Sequence, residues 1–282
     1  MKLSLGFSPC PNDTFIFDAL IHHKIDTEGI EFDVFFDDVE TLNKKVFQNE
    51  PDISKLSFHA FAYAVENYAL LDAGSALGYG VGPLLISKDK GFTKENLANQ
   101  AENLTVGIPG KYTTANFLLG LAFPELINKK IMVFSDIESS LLNDSIDLGL
   151  IIHENRFTYQ DKGLHKIIDL GDFWEKETGF PIPLGGIVIN RRIDSKIQST
   201  VGRLIRKSIE FAFENPTSGI EFIKKHAQEM DEEVMYKHIN LYVNNYSVSL
   251  ETKGKNAINF LFKKATELKI ISPIRHPLFV DK

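Results

Sequence analysis

Apolar residues in this chain come in short runs that alternate with amphipathic stretches. Residues 3–7 (LSLGF) read as a strand. The string Ser8-Pro9-Cys10-Pro11-Asn12-Asp13 reads as the turn after it, because two prolines lock φ and break any helix running through. Asn12 or Asp13 can then cap a helix over residues 14–23, with Phe15, Ile16, Ala19 and Leu20 on one face. Residues 29–36 (GIEFDVFF) predict a second strand and 39–48 an amphipathic helix. Residues 52–56 (DISKL) predict a third strand, and 58–68 a helix with Ser57 as its N-cap. Strand and helix alternating three times is the pattern of a parallel sheet with right-handed crossovers.

The alternation breaks at 82–88 (GPLLISK) and a charged stretch at 88–94, then restarts. Residues 104–109 (LTVGIP), the turn Gly110-Lys111-Tyr112, a helix over 113–122, a strand at 130–134, a short helix at 137–142 and a strand at 146–152 make a second βαβαβ block. Residues 184–190 (LGGIVIN) follow Pro181 and Pro183; paired with 82–88 they predict two antiparallel-running crossings between lobes. From residue 193 the chain reads as helices at 198–214, 218–229, 231–243 and 255–269, expected to pack back on the first lobe. The pattern predicts an α/β protein of two doubly wound lobes joined by two crossover strands. Residues 1–87 and 189–282 would form a discontinuous first lobe with a helical C-terminal part, and 88–188 an inserted second lobe. That order is like the type II periplasmic-binding-protein architecture, a clamshell that closes around its ligand.

At 282 residues the chain can build two lobes, each with its own core. A net charge of -7 argues against nucleic acid or an anionic membrane as the main partner, while leaving room for a local basic pocket. The single cysteine, Cys10, excludes an internal disulfide and a Cys-rich metal site. The first apolar run is short and broken by Pro9 and Pro11, unlike a secretory segment, and no run approaches the ~18 apolar residues of a membrane span. A cytoplasmic protein is expected. Nothing in the pattern specifies an oligomeric state.

Candidate chemistry concentrates at residues 147–159, DLGLIIHENRFTY. Branched residues Leu148, Leu150, Ile151 and Ile152 stop at His153, and Glu154-Asn155-Arg156 follows, as at the carboxyl end of a buried parallel strand. Imidazole suits proton transfer near neutral pH, so His153 is a candidate general base; the alternative is a histidine that only bonds a loop. Four strand ends (8–13, 55–57, 111–114 and 153–156) are expected to face the cleft between lobes. Lys55-Leu56-Ser57 and Thr113-Thr114 put hydroxyls where helices begin, and unpaired N–H groups there suit a carboxylate. Ser57 and Thr113 can equally serve only as caps. His59 is a second histidine candidate. His22 and His23 sit late in a helix, His226 and His238 read as helix-surface residues, and His165 and His276 have no motif around them. No metal-ligand spacing, dinucleotide fingerprint, P-loop or nucleophile elbow is present. Cys10 reads as structural, and Phe7, Phe58 and Tyr159 as possible lining of an apolar pocket.

Six blocks taken together are more specific: SPCPNDTFIFDAL (8–20), SKLSFHA (54–60), IPGKYTTA (108–115), LGLIIHENRFTY (148–159), DLGDFWEKETGFPIPLGG (169–186) and INRR (189–192). In this order they resemble the 1,4-dihydroxy-6-naphthoate synthase family, of the futalosine route to menaquinone; the helical tail is similar only in general character. The resemblance implies a periplasmic-binding-protein-like fold used as a cytoplasmic lyase. It implies conversion of cyclic dehypoxanthine futalosine to 1,4-dihydroxy-6-naphthoate with release of dihydroxyacetone, and no metal or other cofactor. It makes His153 the base and Lys55, Leu56, Ser57, Thr113 and Thr114 the substrate-binding residues. Two rivals share the fold: a non-catalytic binding protein for a small carboxylate, and the sister enzyme chorismate dehydratase. The missing export signal argues against the first, and IIHE with TGFPIPLGG against the second.

Overall fold

In the computed structural model, which describes residues 1–227 and 231–280, the apolar runs become two separate sheets. The chain divides into two compact units, Met1–Gly78 with Pro183–Lys282, and Tyr79–Ile182.

The first unit opens with β1 (Lys2–Phe7), α1 (Pro11–Ile21), β2 (Glu31–Phe36), α2 (Val39–Phe47), β3 (Ile53–Ser57), α3 (Phe58–Ala64), β4 (Tyr68–Leu70) and β5 (Ala76–Gly78). The second contains β6 (Leu84–Ser87), α4 (Lys94–Leu97), β7 (Val106–Ile108), α5 (Thr114–Ala122), β8 (Lys129–Ile131), α6 (Ile137–Leu142), β9 (Leu148–Ile151), α7 (Asn155–Thr158), β10 (His165–Asp169) and α8 (Leu170–Thr178). The chain then returns to the first unit through β11 (Ile182–Asn190). It ends in α9 (Ser195–Glu214), α10 (Ile220–His226), α11 (Glu232–Tyr242), α12 (Asn245–Val248) and α13 (Glu251–Glu267). The last two residues of the helix expected over 218–229 lie outside the described residues.

The first sheet runs β2-β1-β3-β11-β4, with β5 also on β11; the second runs β10-β6-β9-β7-β8. Each expected βαβαβ block is parallel: β1 with β2 and β3, and β7 with β8 and β9. The expected pairing of the two crossing strands does not occur. β11 lies antiparallel to β3 and β4, and β6 antiparallel to β9 and β10, so each completes a different sheet. For the same reason the units meet the chain at 78/79 and 182/183 instead of 87/88 and 188/189: β6 belongs to the second sheet.

Three local expectations also change. α1 begins at Pro11, not at Thr14, with Cys10 as N-cap; the carbonyl of Cys10 accepts from Asp13 (3.1 Å) and Thr14 (3.0 Å). Proline at the first helical position loses no bond, because that N–H would have no intrahelical partner anyway. The helix after Ser57 stops at Ala64, and Tyr68 starts β4 with its hydroxyl on the Pro51 carbonyl at 2.7 Å. The strand expected over 130–134 stops at Ile131, and Phe134 instead opens a 3-10 turn over Phe134–Asp136.

The C-terminal helices do pack on the first unit: α9, α10 and α11 lie against α1. Phe15, Ile16 and Leu20 of α1 share a core with Leu204 and Ile205 of α9 and Ile239 of α11. Ser208 of α9 ties into this core, donating to the Ile16 carbonyl (2.6 Å) and accepting from the Leu20 N–H (3.1 Å). In the second unit one core cluster is built on Leu84, Ile86, Ile137, Leu141 and Ile151. Among the described residues no helix is long and apolar enough to cross a membrane.

Candidate active site

In the first unit two segments emerge at the carboxyl ends of adjacent parallel strands. β1 and β3 are in register (Leu5↔Ile53, Gly6↔Ser54), so the turn after β1 and the Lys55–Ser57 end of β3 are neighbours. Asp13, 2% exposed, is surrounded by donors. Its Oδ2 accepts from the Ser8 hydroxyl (2.8 Å) and the Ser8 N–H (3.3 Å). Its Oδ1 accepts from the Asn12 amide (2.8 Å) and lies 3.0 Å from Lys55 Nζ. Lys55, itself buried, donates a second bond to the Gly74 carbonyl at 3.0 Å. An ammonium has three N–H donors. Among the described residues two are taken by these acceptors.

Ser57 ends β3. Its N–H donates to Asn43 Oδ1 (3.0 Å), and the Asn43 amide approaches the Ser57 hydroxyl at 3.5 Å. The Ser57 side chain makes no capping bond to α3, so the capping alternative fails here. Asn43 is fully buried, and its signal was legible: it sits between Val39 and Val46 on the inward stripe of α2, where a polar residue needs a buried partner. The Leu56 side chain belongs to the core, 1% exposed. The glycines of the PLGG segment explain why that block accompanies Lys55–Ser57. Gly185 pairs with Ser57 and Gly186 with Leu56 on β11, and a Cβ at Gly185 would sit 2.7 Å from the Leu56 carbonyl oxygen.

His238, expected on a helix surface, is fully buried. It shares the inward face of α11 with Met235, Ile239 and Tyr242, and α11 docks on α1. Its Nε2 lies 2.9 Å from Asn12 Oδ1. Because Asn12 donates through Nδ2 to Asp13, its oxygen faces the ring, and Nε2 carries the proton. Asn12 and Asp13 are therefore links in a buried polar chain from His238 to Lys55, not helix caps. His59 is buried on α3, with Tyr63 Oη 3.4 Å from its Nε2.

In the second unit β7 and β9 are adjacent and parallel (Val106↔Leu148, Gly107↔Gly149), so the 110–114 turn and the segment carrying His153 follow neighbouring strands. Thr113 does cap its helix: Oγ1 accepts from the Asn116 N–H at 3.2 Å and donates to the Gly110 carbonyl at 2.9 Å. Thr114 is the first residue of α5, and both threonines are buried.

β9 stops at Ile151, and His153 is left-handed, with φ 60°. Histidine is among the few non-glycine residues found there, at a cost of ~1–2 kcal/mol. Its half-buried ring lies 4.9 Å from the Phe134 ring, tilted by 55°. Arg156 of the following string is structural: it pairs with Asp169 at 2.6 Å and donates to the Gly82 carbonyl. Asp169 also caps α8 through the Gly171 N–H (2.8 Å). Gly82 and Gly171 meet backbone to backbone; a Cβ at Gly82 would sit 2.2 Å from the Gly171 nitrogen. Phe7 and Phe58 are fully buried core residues, Tyr159 belongs to the second unit's core, and Cys10 is buried under the start of α1.

The arrangement offers a turn-borne imidazole beside a capped helix start in one unit, and a buried ammonium beside a held hydroxyl in the other. The chain is 37% identical over 278 residues to a 1,4-dihydroxy-6-naphtoate synthase of Thermus thermophilus, covering 99% of each chain. It is 36% identical over 268 residues to the Streptomyces coelicolor protein of that name, covering 93% of this chain and 92% of that one. Among solved structures, an Archaeoglobus fulgidus protein matches with TM-score 0.89 at 34% identity, over 96% of this chain and 98% of that chain. The periplasmic aliphatic sulphonate binding protein of Escherichia coli matches with TM-score 0.65 at 10% identity, over 100% and 94%; that likeness shows the fold, which is periplasmic-binding-protein-like. The sequence pattern of the family described as Menaquinone biosynthesis covers residues 3–267, and the chain belongs to that family.

Proposed function

We propose that this enzyme is a 1,4-dihydroxy-6-naphthoate synthase of menaquinone biosynthesis, acting as a lyase on cyclic dehypoxanthine futalosine. Full-length identity to two synthases supports the activity. The observation that carries the mechanism is the placement of His153 on a strained turn just past β9, next to the strand that leads into α5.

Neutral His153 removes a proton from the cyclised substrate. The sugar-derived ring opens, the bond to the three-carbon unit breaks, and dihydroxyacetone leaves. Formation of the naphthalene diol drives the last step. Proton transfers and one carbon–carbon cleavage account for the change, so the reaction calls for no redox cofactor. The N–H groups at the start of α5, with Thr113 and Thr114, hold one polar end of the substrate. The ammonium of Lys55, the backbone of Leu56 and the hydroxyl of Ser57 hold another. The protein works in the cytoplasm on this small carboxylate.

The test is to incubate the purified protein with cyclic dehypoxanthine futalosine and follow dihydroxynaphthoate, wild type beside His153→Ala. Product from the wild type with a loss of about 10²-fold or more in the variant is expected. Equal rates from both would keep the enzyme and discard His153 as base. Binding without product from either would return the chain to the solute-binding reading, and dehydration of chorismate to its sister enzyme.

A further inference from the structure

The segment after His153 is held differently from the strand before it. β9 buries all four of its residues, whereas α7 buries none. All four α7 residues are only half-buried, so polar ties carry much of its placement. Arg156 supplies two of them, to Asp169 and Gly82. The others converge on α6. Glu138, 2% exposed, receives the Asn155 amide at 2.5 Å and the Lys162 ammonium at 2.6 Å, both on Oε2.

The same stretch of chain touches the imidazole itself, through the Phe134 ring. Residues 134–138 thus contact His153 and, through Glu138, the chain two residues beyond it. A left-handed residue keeps its conformation only where its surroundings over-determine it. Release of Asn155 would let the backbone at His153 relax to an ordinary region and swing the side chain away. A buried carboxylate is a firm anchor for this purpose, because its desolvation is offset only while both donors stay in place.

We propose that Glu138 is a positioning residue for His153, holding Asn155 and Lys162 so that the left-handed turn aims the imidazole at the substrate. This rests on His153 being the base. The test compares kcat and KM on cyclic dehypoxanthine futalosine for the wild type, Glu138→Gln, Glu138→Met, Asn155→Ala and the double variant Glu138→Met/Asn155→Ala. Glu138→Gln keeps an acceptor and should hold kcat within about threefold. Glu138→Met and Asn155→Ala should each lower kcat about tenfold with KM within about twofold, since the loss is in the chemical step. The double variant should lose no more than the worse single one. Wild-type kcat in Asn155→Ala, or a loss confined to KM, overturns the assignment. If Glu138→Met does not fold by circular dichroism, Asn155→Ala alone decides. A wild type that makes no product fails the functional reading instead. In that case the ring resonances of His153 in labelled protein still decide: one sharp set in the wild type and broadened or doubled peaks in Asn155→Ala support Glu138, and identical spectra overturn it.

Discussion

At the scale of single residues, the Asp13–Lys55 pair separates stability from function. The two side chains are both buried and neutralise one another, which matters most when one is removed. Asp13→Asn removes the counter-charge beside the Lys55 ammonium and leaves it neutral acceptors such as the Gly74 carbonyl, and should destabilise the protein by ~3–5 kcal/mol in urea unfolding. Replacing both, Lys55→Met with Asp13→Leu, should recover most of that loss. The double variant should nevertheless raise KM about tenfold or more, since the ligand loses its ammonium contact. A double variant with wild-type KM would remove Lys55 from the substrate contacts. Gly185 makes a complementary case. Gly185→Ala forces a methyl against the Leu56 carbonyl, a backbone atom that cannot rotate aside, and should cost ~1–3 kcal/mol, again read from urea midpoints.

At the scale of elements, burial decides which parts of the chain open. Amides of β9 should resist hydrogen exchange, while those of α7, one turn later, should exchange many times faster because its single turn is only half-buried. Equal protection in both would show that the polar ties rigidify α7. The same contrast explains what could be read without a structure. Central strands such as β7 and β9 were legible because burial on both faces leaves apolar runs such as residues 148–152. β4, β5 and β10 were not, since three to five residues carry no usable period. The partners of β6 and β11 were also hidden: both are apolar runs, and an apolar run does not say which edge it will join. His153, Lys55, Ser57 and Thr113 stood out by lying at strand ends. The chain from His238 through Asn12 to Asp13 could not, because it exists only once α11 docks on α1, and the histidine and asparagine are 226 residues apart.

At the scale of the whole molecule, two acidic residues of the first unit set a response to acid. For Asp52, burial pushes the carboxyl up, but bonds from Arg192 and from the Ser4 N–H and hydroxyl outweigh it and leave the pKa lowered. For Asp72, burial again pushes up, and the Ser249 hydroxyl with Lys255 and Arg206 outweighs it. A pKa lowered by folding contributes stability that is fully present above the unfolded value, ~3.9, and is lost as pH falls through the folded value. Urea midpoints should therefore be flat near neutrality and fall in the acid range below about pH 4. Asp72→Asn should remove about 1 kcal/mol at pH 7 and much less at pH 3; an equal loss at both would assign its role to hydrogen bonding alone. A different consequence follows from the place of β11. It fills the middle of the first sheet, between β3 and β4, yet the chain reaches it only after the whole second unit. During synthesis the ribosome makes roughly 130 residues between the end of β3 and the end of β11, a delay on the order of ten seconds. For that time β3 is an open edge of a half-built sheet, the kind of edge that recruits other chains. The protein thus begins its first unit first and finishes it last, and a newborn copy is most exposed to aggregation while the inserted unit is being made.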